Sequence, residues 1–143
     1  MPRPDPALLD AARYPFRYDI EPRFSDLDVN NHFNNIATLG LFQEARVRLH
    51  QNYAGWPDSR PYALIVASLS VEYLADGTYP ATATIHSGIA KIGRTSHVVQ
   101  QLLVQAGQSI AVSTAVMVRT GNGAPMENDP QFTQAMRQWQ MKT

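Results

Sequence analysis

A chain of 143 residues with 44% hydrophobic content can bury the core of one compact domain and is too apolar for a disordered segment. Its 12 basic residues balance 12 acidic ones, so no net field recommends nucleic acid or an anionic membrane as a partner, and any anion site must be local. Cysteine is absent, which excludes disulfides, thiolate nucleophiles and cysteine-held metals and is compatible with a reducing compartment.

The first segment, MPRPDPALLD, lacks the apolar run of a signal peptide, and no stretch approaches the roughly 20 apolar residues of a membrane span. A cytoplasmic protein is expected. Pro2, Pro4 and Pro6 predict an irregular arm over residues 1–15, with one helical turn at most between Ala7 and Ala12. From Phe16 to Phe24 apolar and charged residues alternate, with Phe16, Tyr18, Ile20 and Phe24 on one face, as a half-buried strand requires. Pro22 cannot donate a ladder hydrogen bond, so it should face outward from an edge or mark a bulge.

The next stretch concentrates the chemistry. Asp26 and Asp28 precede the polar loop Asn30, Asn31, His32, Phe33, Asn34, Asn35, and a helical pattern then runs from about Asn35 to about Tyr53, ended by Gly55, Trp56 and Pro57. A carboxylate is thereby placed beside a helix N-terminus, whose free N–H groups carry about half a positive charge and can bind an oxyanion. Apolar residues on more than one stripe predict a largely enclosed helix. Gly40 costs about 1 kcal/mol in its middle, and close approach of the helix to a neighbour would offset that.

Four β-like runs follow, near Tyr62–Leu74, Ala81–Lys91, Thr95–Ala106 and Ser109–Arg119. The short turns at Ile92, Gly93, Arg94 and at Ala106, Gly107, Gln108 make them an antiparallel meander. A loop over Gly121–Pro130 and a short helix over Pro130–Met141 complete a single domain of residues 1–143. One strand, one long helix and four further strands predict an α+β domain whose sheet wraps the helix.

This order resembles the hotdog fold, a five-stranded antiparallel sheet around one long central helix. The central stretch is similar to the 4-hydroxybenzoyl-CoA thioesterase-like branch of hotdog acyl-CoA thioesterases. Phe24, Asp26, Asp28, His32, Asn34, Asn35, Leu39, Phe42, Glu44, Ala45 and Arg46 match that family's motif without a gap. Val71, Tyr73 and Leu74 resemble its second strand, and Gly93, Arg94, Thr95 and Ser96 its third hairpin. Asn31 stands where the family has Gly, Thr38 where it has Tyr, and Tyr79, Pro80 and Ala81 where a Gly-Asp pair is common.

The resemblance implies a thioesterase that releases free acid and CoA from an acyl-CoA, or acts on an acyl carrier protein thioester. It puts the catalytic carboxylate on Asp28, as general base or nucleophile, and the oxyanion donor on the main-chain N–H of Asn35. Turn or helix capping is the simpler reading of Asp28, Asn34 and Asn35 on their own. Asp26 is expected to support the loop through Arg23 or Arg46. Imidazole is a common general base, but in such a turn His32 is expected to order the loop. Glu44 is the rival base, because other hotdog enzymes use a helical Glu, and a buried ion pair with a strand or across a subunit contact is its simpler reading.

Thr38, Tyr62 and Tyr73 are candidates for the acyl pocket. Lys91, Gly93, Arg94, Thr95 and Ser96 combine cations, a turn and hydroxyls suited to phosphate oxygens, with Arg94 the preferred contact. His32, His50, His86 and His97 lack ligand spacing, so no metal is expected. No cofactor is implied either, since CoA is part of the substrate. The family implies a homodimer or homotetramer. Departures at Asn31, Thr38 and Tyr79 to Ala81 leave a non-catalytic acyl-binding module as the alternative, and no motif supports a hotdog dehydratase.

Overall fold

The computed structural model describes residues 4–143, so Pro2 lies outside the described residues. The arm holds two 3-10 turns, Pro6–Leu9 and Ala11–Arg13, in place of one helical turn. They are set by Asp5 and Asp10, whose side chains accept the N–H groups of Ala7 and Ala12.

Six strands form one antiparallel sheet: β1 (Phe16–Ile20), β2 (Ala63–Tyr73), β3 (Ala83–Ile92), β4 (Ser96–Gln105), β5 (Gln108–Gly121) and the two-residue β6 (Ala124–Pro125). The order across it is β1-β3-β4-β5-β2, with β6 added to the far end of β5. Its five main strands curl around the long helix α1 (Asn35–Tyr53), which makes the domain α+β. A second helix, α2 (Pro130–Arg137), is capped by Asp129, whose carboxylate accepts the Phe132 N–H at 2.7 Å. No helix among the described residues is long and apolar enough to cross a membrane.

β1 ends earlier than the alternation predicts. Ile20 is its last residue, Pro22 is buried in the connection, and Phe24 opens a 3-10 turn with its ring 72% exposed. The missing N–H of Pro22 accounts for the stop. The turn between β4 and β5 is tight because Ala106 and Gly107 both take positive φ, +47° and +75°, as a two-residue hairpin of this hand demands.

α1 buries one stripe, Thr38, Leu41, Phe42, Ala45, Leu49 and Tyr53. Its first half packs on Ala83, Ile85, Leu103 and Ala111, and its second on Ile89, Val99, Ala115 and Met117 with Phe132 and Met136 of α2. Phe42 is fully enclosed, which stabilises the domain by about 1.5–3 kcal/mol. Gln101 of β4 locks the helix to the sheet: its Nε2 donates to the Phe42 carbonyl and to Ser87 Oγ, each at 3.0 Å.

The other stripe is open, contrary to the expected enclosure. Ile36 is 77% exposed, and a Cβ on Gly40 would meet no atom within 4 Å. Gly40 therefore serves no close approach within one chain. Beside this stripe runs β2, an edge strand that is exposed along most of its 11 residues, including Ile65, Val66, Leu69 and Tyr73.

Candidate functional site

The loop after β1 is closed by local bonds. Leu27 and Phe33 form an antiparallel bridge, and the Asp28 N–H donates to the His32 carbonyl at 2.8 Å. Asn31, where the resemblance expects Gly, adopts φ +60°. Asn tolerates this left-handed conformation better than other side chains, so the substitution keeps the backbone path. Asp26 is buried and accepts from the Arg23 N–H at 2.8 Å and from its guanidinium at 3.2 Å. Of the two partners expected for it, Arg23 is the one found. Arg46 instead points to Gln101 Oε1, at 3.4 Å.

The helix start is held open by its cap. Asn34 Oδ1 accepts the Ala37 N–H at 2.7 Å, and the Asn34 carbonyl accepts the Thr38 N–H at 3.1 Å. Among the described residues nothing accepts from the N–H groups of Asn35 and Ile36. These two donors remain available at the positive end of a 19-residue helix.

A cavity of about 310 Å³ lies against this start and is lined by Asp28, Asn35, Thr38, Tyr73, Asp76 and Ile110, among others. Asp28 is exposed. Its Oδ1 accepts from the Asn30 N–H at 2.8 Å, while Oδ2 has no partner among the described residues. A carboxylate oxygen is thus left for water or substrate beside free main-chain donors. Thr38 and Tyr73 line the same space, although the Thr38 hydroxyl is already donated to the Asn34 carbonyl at 3.1 Å. Tyr62 lies elsewhere, against Phe132 and beneath the guanidinium of Arg119.

His32 meets a residue that sequence reasoning missed. Its Nδ1 lies 3.6 Å from Oδ2 of exposed Asp76, just beyond β2, a second carboxylate that lines the cavity. The Phe33 N–H donates to the Gly77 carbonyl at 2.9 Å, and a side chain at Gly77 would collide with the Phe33 ring. The Asp76-Gly77 dipeptide is a turn signal, and it was the one cue to this contact in the sequence.

Glu44 stands apart from the cavity. It is exposed and holds Arg48 one turn on, at 3.1 Å, rather than a buried ion pair. The Arg94, Thr95, Ser96 hairpin lies at the opposite end of the sheet. Ser96 and Gln105 are the two ends of β4, about 30 Å apart at 3.3 Å per residue, and Gln105 bonds Thr78 next to the cavity. Arg94 is exposed and pairs with Glu127 at 2.7 Å.

A family model described as the thioesterase-like superfamily matches residues 22–139, from just after β1 to beyond α2. The chain belongs to this family. Thioester hydrolysis is therefore its enzyme class, and the curled sheet around α1 is the hotdog fold. No curated protein matches the sequence. Among solved structures, this thioesterase-like chain is similar to a protein from Pseudomonas aeruginosa strain PAO1, at 21% identity over 92% of this chain and 95% of that one, with a TM-score of 0.82. A predicted thioesterase from Bacillus stearothermophilus shares 23% identity over 90% and 98% of the two chains, with a TM-score of 0.81. A Thermus thermophilus thioesterase, solved with coenzyme A and zinc, shares 26% over 87% and 93%, with a TM-score of 0.80.

Proposed function

We propose that the protein hydrolyses acyl-CoA thioesters, with Asp28 as the catalytic carboxylate. One observation carries this reading: Asp28, with its unpartnered Oδ2, and Asn35, with its free N–H, line the same cavity. The coenzyme A in the Thermus relative supports a CoA thioester as the substrate.

The carbonyl oxygen of the thioester points at the Asn35 N–H, which stabilises the negative charge as the tetrahedral intermediate forms. Asp28 either takes a proton from the attacking water or attacks the carbonyl itself to give a mixed anhydride that water then opens. The thiolate of CoA leaves in both routes. Thioesters are activated acyl groups, so no serine or cysteine nucleophile and no cofactor is needed. His32, whose carbonyl accepts the Asp28 N–H, keeps the loop ordered, and Thr38 and Tyr73 border the acyl group.

The working unit is a dimer joined through β2. An exposed apolar edge strand of this length invites a second copy. Two-fold pairing runs the strands head to tail, so the partner's Ala63 end falls beside Tyr73. The β3–β4 hairpin sits at the Ala63 end, because Ala63 pairs with Thr120 and Ser96 with Val118. The partner subunit's Arg94 thereby comes to the same end of the assembly as Asp28, where the CoA phosphates can reach it.

A screen of short, long and aromatic acyl-CoAs, read by release of free thiol, tests the reading. Turnover of at least one class is expected. Silence on every acyl-CoA and on acyl carrier protein thioesters would reject hydrolysis and leave an acyl-binding module.

A further inference from the structure

The two ends of β2 carry opposite charge. Beside its start, a second cavity of about 260 Å³ opens between α1 and the loop after it, lined by Arg46 and Arg60 and, among the described residues, by no carboxylate. Beside its far end, the first cavity is lined by Asp28 and Asp76 and, among the described residues, by no Lys or Arg. Head-to-tail pairing of β2 with a second copy lays the cationic end of each subunit on the acidic end of the other, twice over in a two-fold dimer.

Of the two cations, Arg60 is the one that faces outward. Arg46 is 5% exposed and already donates to Gln101. Arg60 makes no ion pair among the described residues, and only part of its guanidinium is enclosed: Nε and Nη1 are buried, whereas Nη2 is not. Arg60 stands three residues before Ala63, and Asp76 stands three beyond Tyr73. The pairing that brings Ala63 beside the partner's Tyr73 therefore carries Arg60 toward the partner subunit's Asp76. Glu72 is turned away from this meeting, because it pairs with Val112, which packs on Tyr14 of the arm on the face of the sheet opposite α1.

Asp76 also opens the turn that pins the Asp28 loop. The next residue, Gly77, accepts the Phe33 N–H at 2.9 Å, and within the described residues the one ion-pair partner of Asp76 is His32, at 3.6 Å. Asp28 and Asp76 line one cavity, where two carboxylates repel unless a cation stands near. Resting on the β2 dimer and the hydrolysis proposed above, we infer that Arg60 of each subunit pairs with Asp76 of the other and, through the Asp76-Gly77 turn, holds that subunit's Asp28 loop in place. Each site is complete only when a partner covers it, and Arg60 is a positioning residue supplied from across the interface.

Charge reversal on separate chains tests this. Arg60→Asp alone and Asp76→Arg alone each set like charges against one another at both contacts of a homodimer. Each should move the light-scattering mass toward 15.9 kDa and lower kcat/KM by about tenfold or more. Mixing the two variants after dissociation in mild urea gives a heterodimer with one native and one reversed pair. It should regain the dimer mass and about half of the parental turnover or more, whereas a pair formed within one chain would gain nothing from mixing. If either variant fails to fold alone, the two are co-expressed and the heterodimer is assayed instead. The inference is overturned by single variants with parental mass and turnover, by a mixture or co-expressed pair that stays monomeric and inactive, or by a parent protein that is itself a monomer. A dimeric parent that is silent on every thioester rejects hydrolysis alone, and the masses of the variants and their mixture still decide the pair.

Discussion

Asp28→Asn separates chemistry from architecture. The Asp28 side chain makes one short structural bond, from the Asn30 N–H to Oδ1 at 2.8 Å, and an asparagine carbonyl oxygen can accept it equally. The atom that changes character is Oδ2, which holds no partner among the described residues, so folding stability should stay within about 0.5 kcal/mol. An amide can neither take a proton from water nor attack a thioester. Loss of a positioned base slows reactions by about 10²–10⁴-fold. At about 1.36 kcal/mol per decade, the barrier should rise by about 2.7–5.4 kcal/mol. The assay is steady-state thiol release from the best acyl-CoA, alongside urea midpoints of both proteins. A kcat within about threefold of the parent, with an unchanged midpoint, would remove Asp28 from the chemistry. If Glu44→Gln were the inactive variant instead, the base would lie on the helix, as in other hotdog enzymes.

Acid should destabilise the fold through its buried histidines. Burial pulls His97 down to about 4 and His50 to about 3, against 6.5 when exposed, so the unfolded chain takes up protons that the folded one refuses. Stability is then fully present above pH 6.5 and falls toward pH 4, by about 1.4 kcal/mol per pH unit for each histidine. Urea midpoints that do not change across this window would contradict the assignment. Arg94→Ala should raise KM for acyl-CoA a few-fold, less at high salt, and leave kcat nearly intact, because Glu127 already competes for the guanidinium. An unchanged KM would take Arg94 out of the substrate site. Leu69→Lys on the β2 edge should lower the light-scattering mass from roughly twice 15.9 kDa toward 15.9 kDa, and a parent protein that already scatters as a monomer would rule out the β2 dimer.

The strands and the helix were legible because alternation and turn chemistry act locally. The residues from Asn35 to Tyr53 read as a helix, and the Asn34 cap and Gly55, with φ +71°, bound it there. The Asp28 loop was legible through its motif, and Asn31 kept the geometry that Gly would have supplied. What escaped depends on contacts between distant segments. Asp76 reaches His32 only because the end of β2 returns to the loop through Phe33 and Gly77. Arg46 read as a motif residue and a possible partner of Asp26, and His50 as a histidine without ligand spacing; that both share a cleft with Arg60, on a separate loop, appears only in the fold. The open stripe at Ile36 and Gly40 was misread because an apolar helix face does not reveal whether its cover comes from the same chain.

The strand order carries a consequence for how the molecule assembles. β3, β4 and β5 follow one another through short turns, whereas β1 pairs only with β3 and must wait for the intervening helix and β2 to be threaded past. Closing long loops is entropically costly and slows the pairings that depend on it. The meander is therefore expected to form the folding nucleus, with β1 docking late. The Asp28 loop hangs between β1 and α1 and is pinned by Gly77, after β2, so it cannot settle before β1 docks. During refolding, sheet signal in circular dichroism should recover ahead of thioesterase activity, and recovery of both in a single phase would argue for a different nucleus. A chain caught part-way would hold most of its sheet and none of its chemistry.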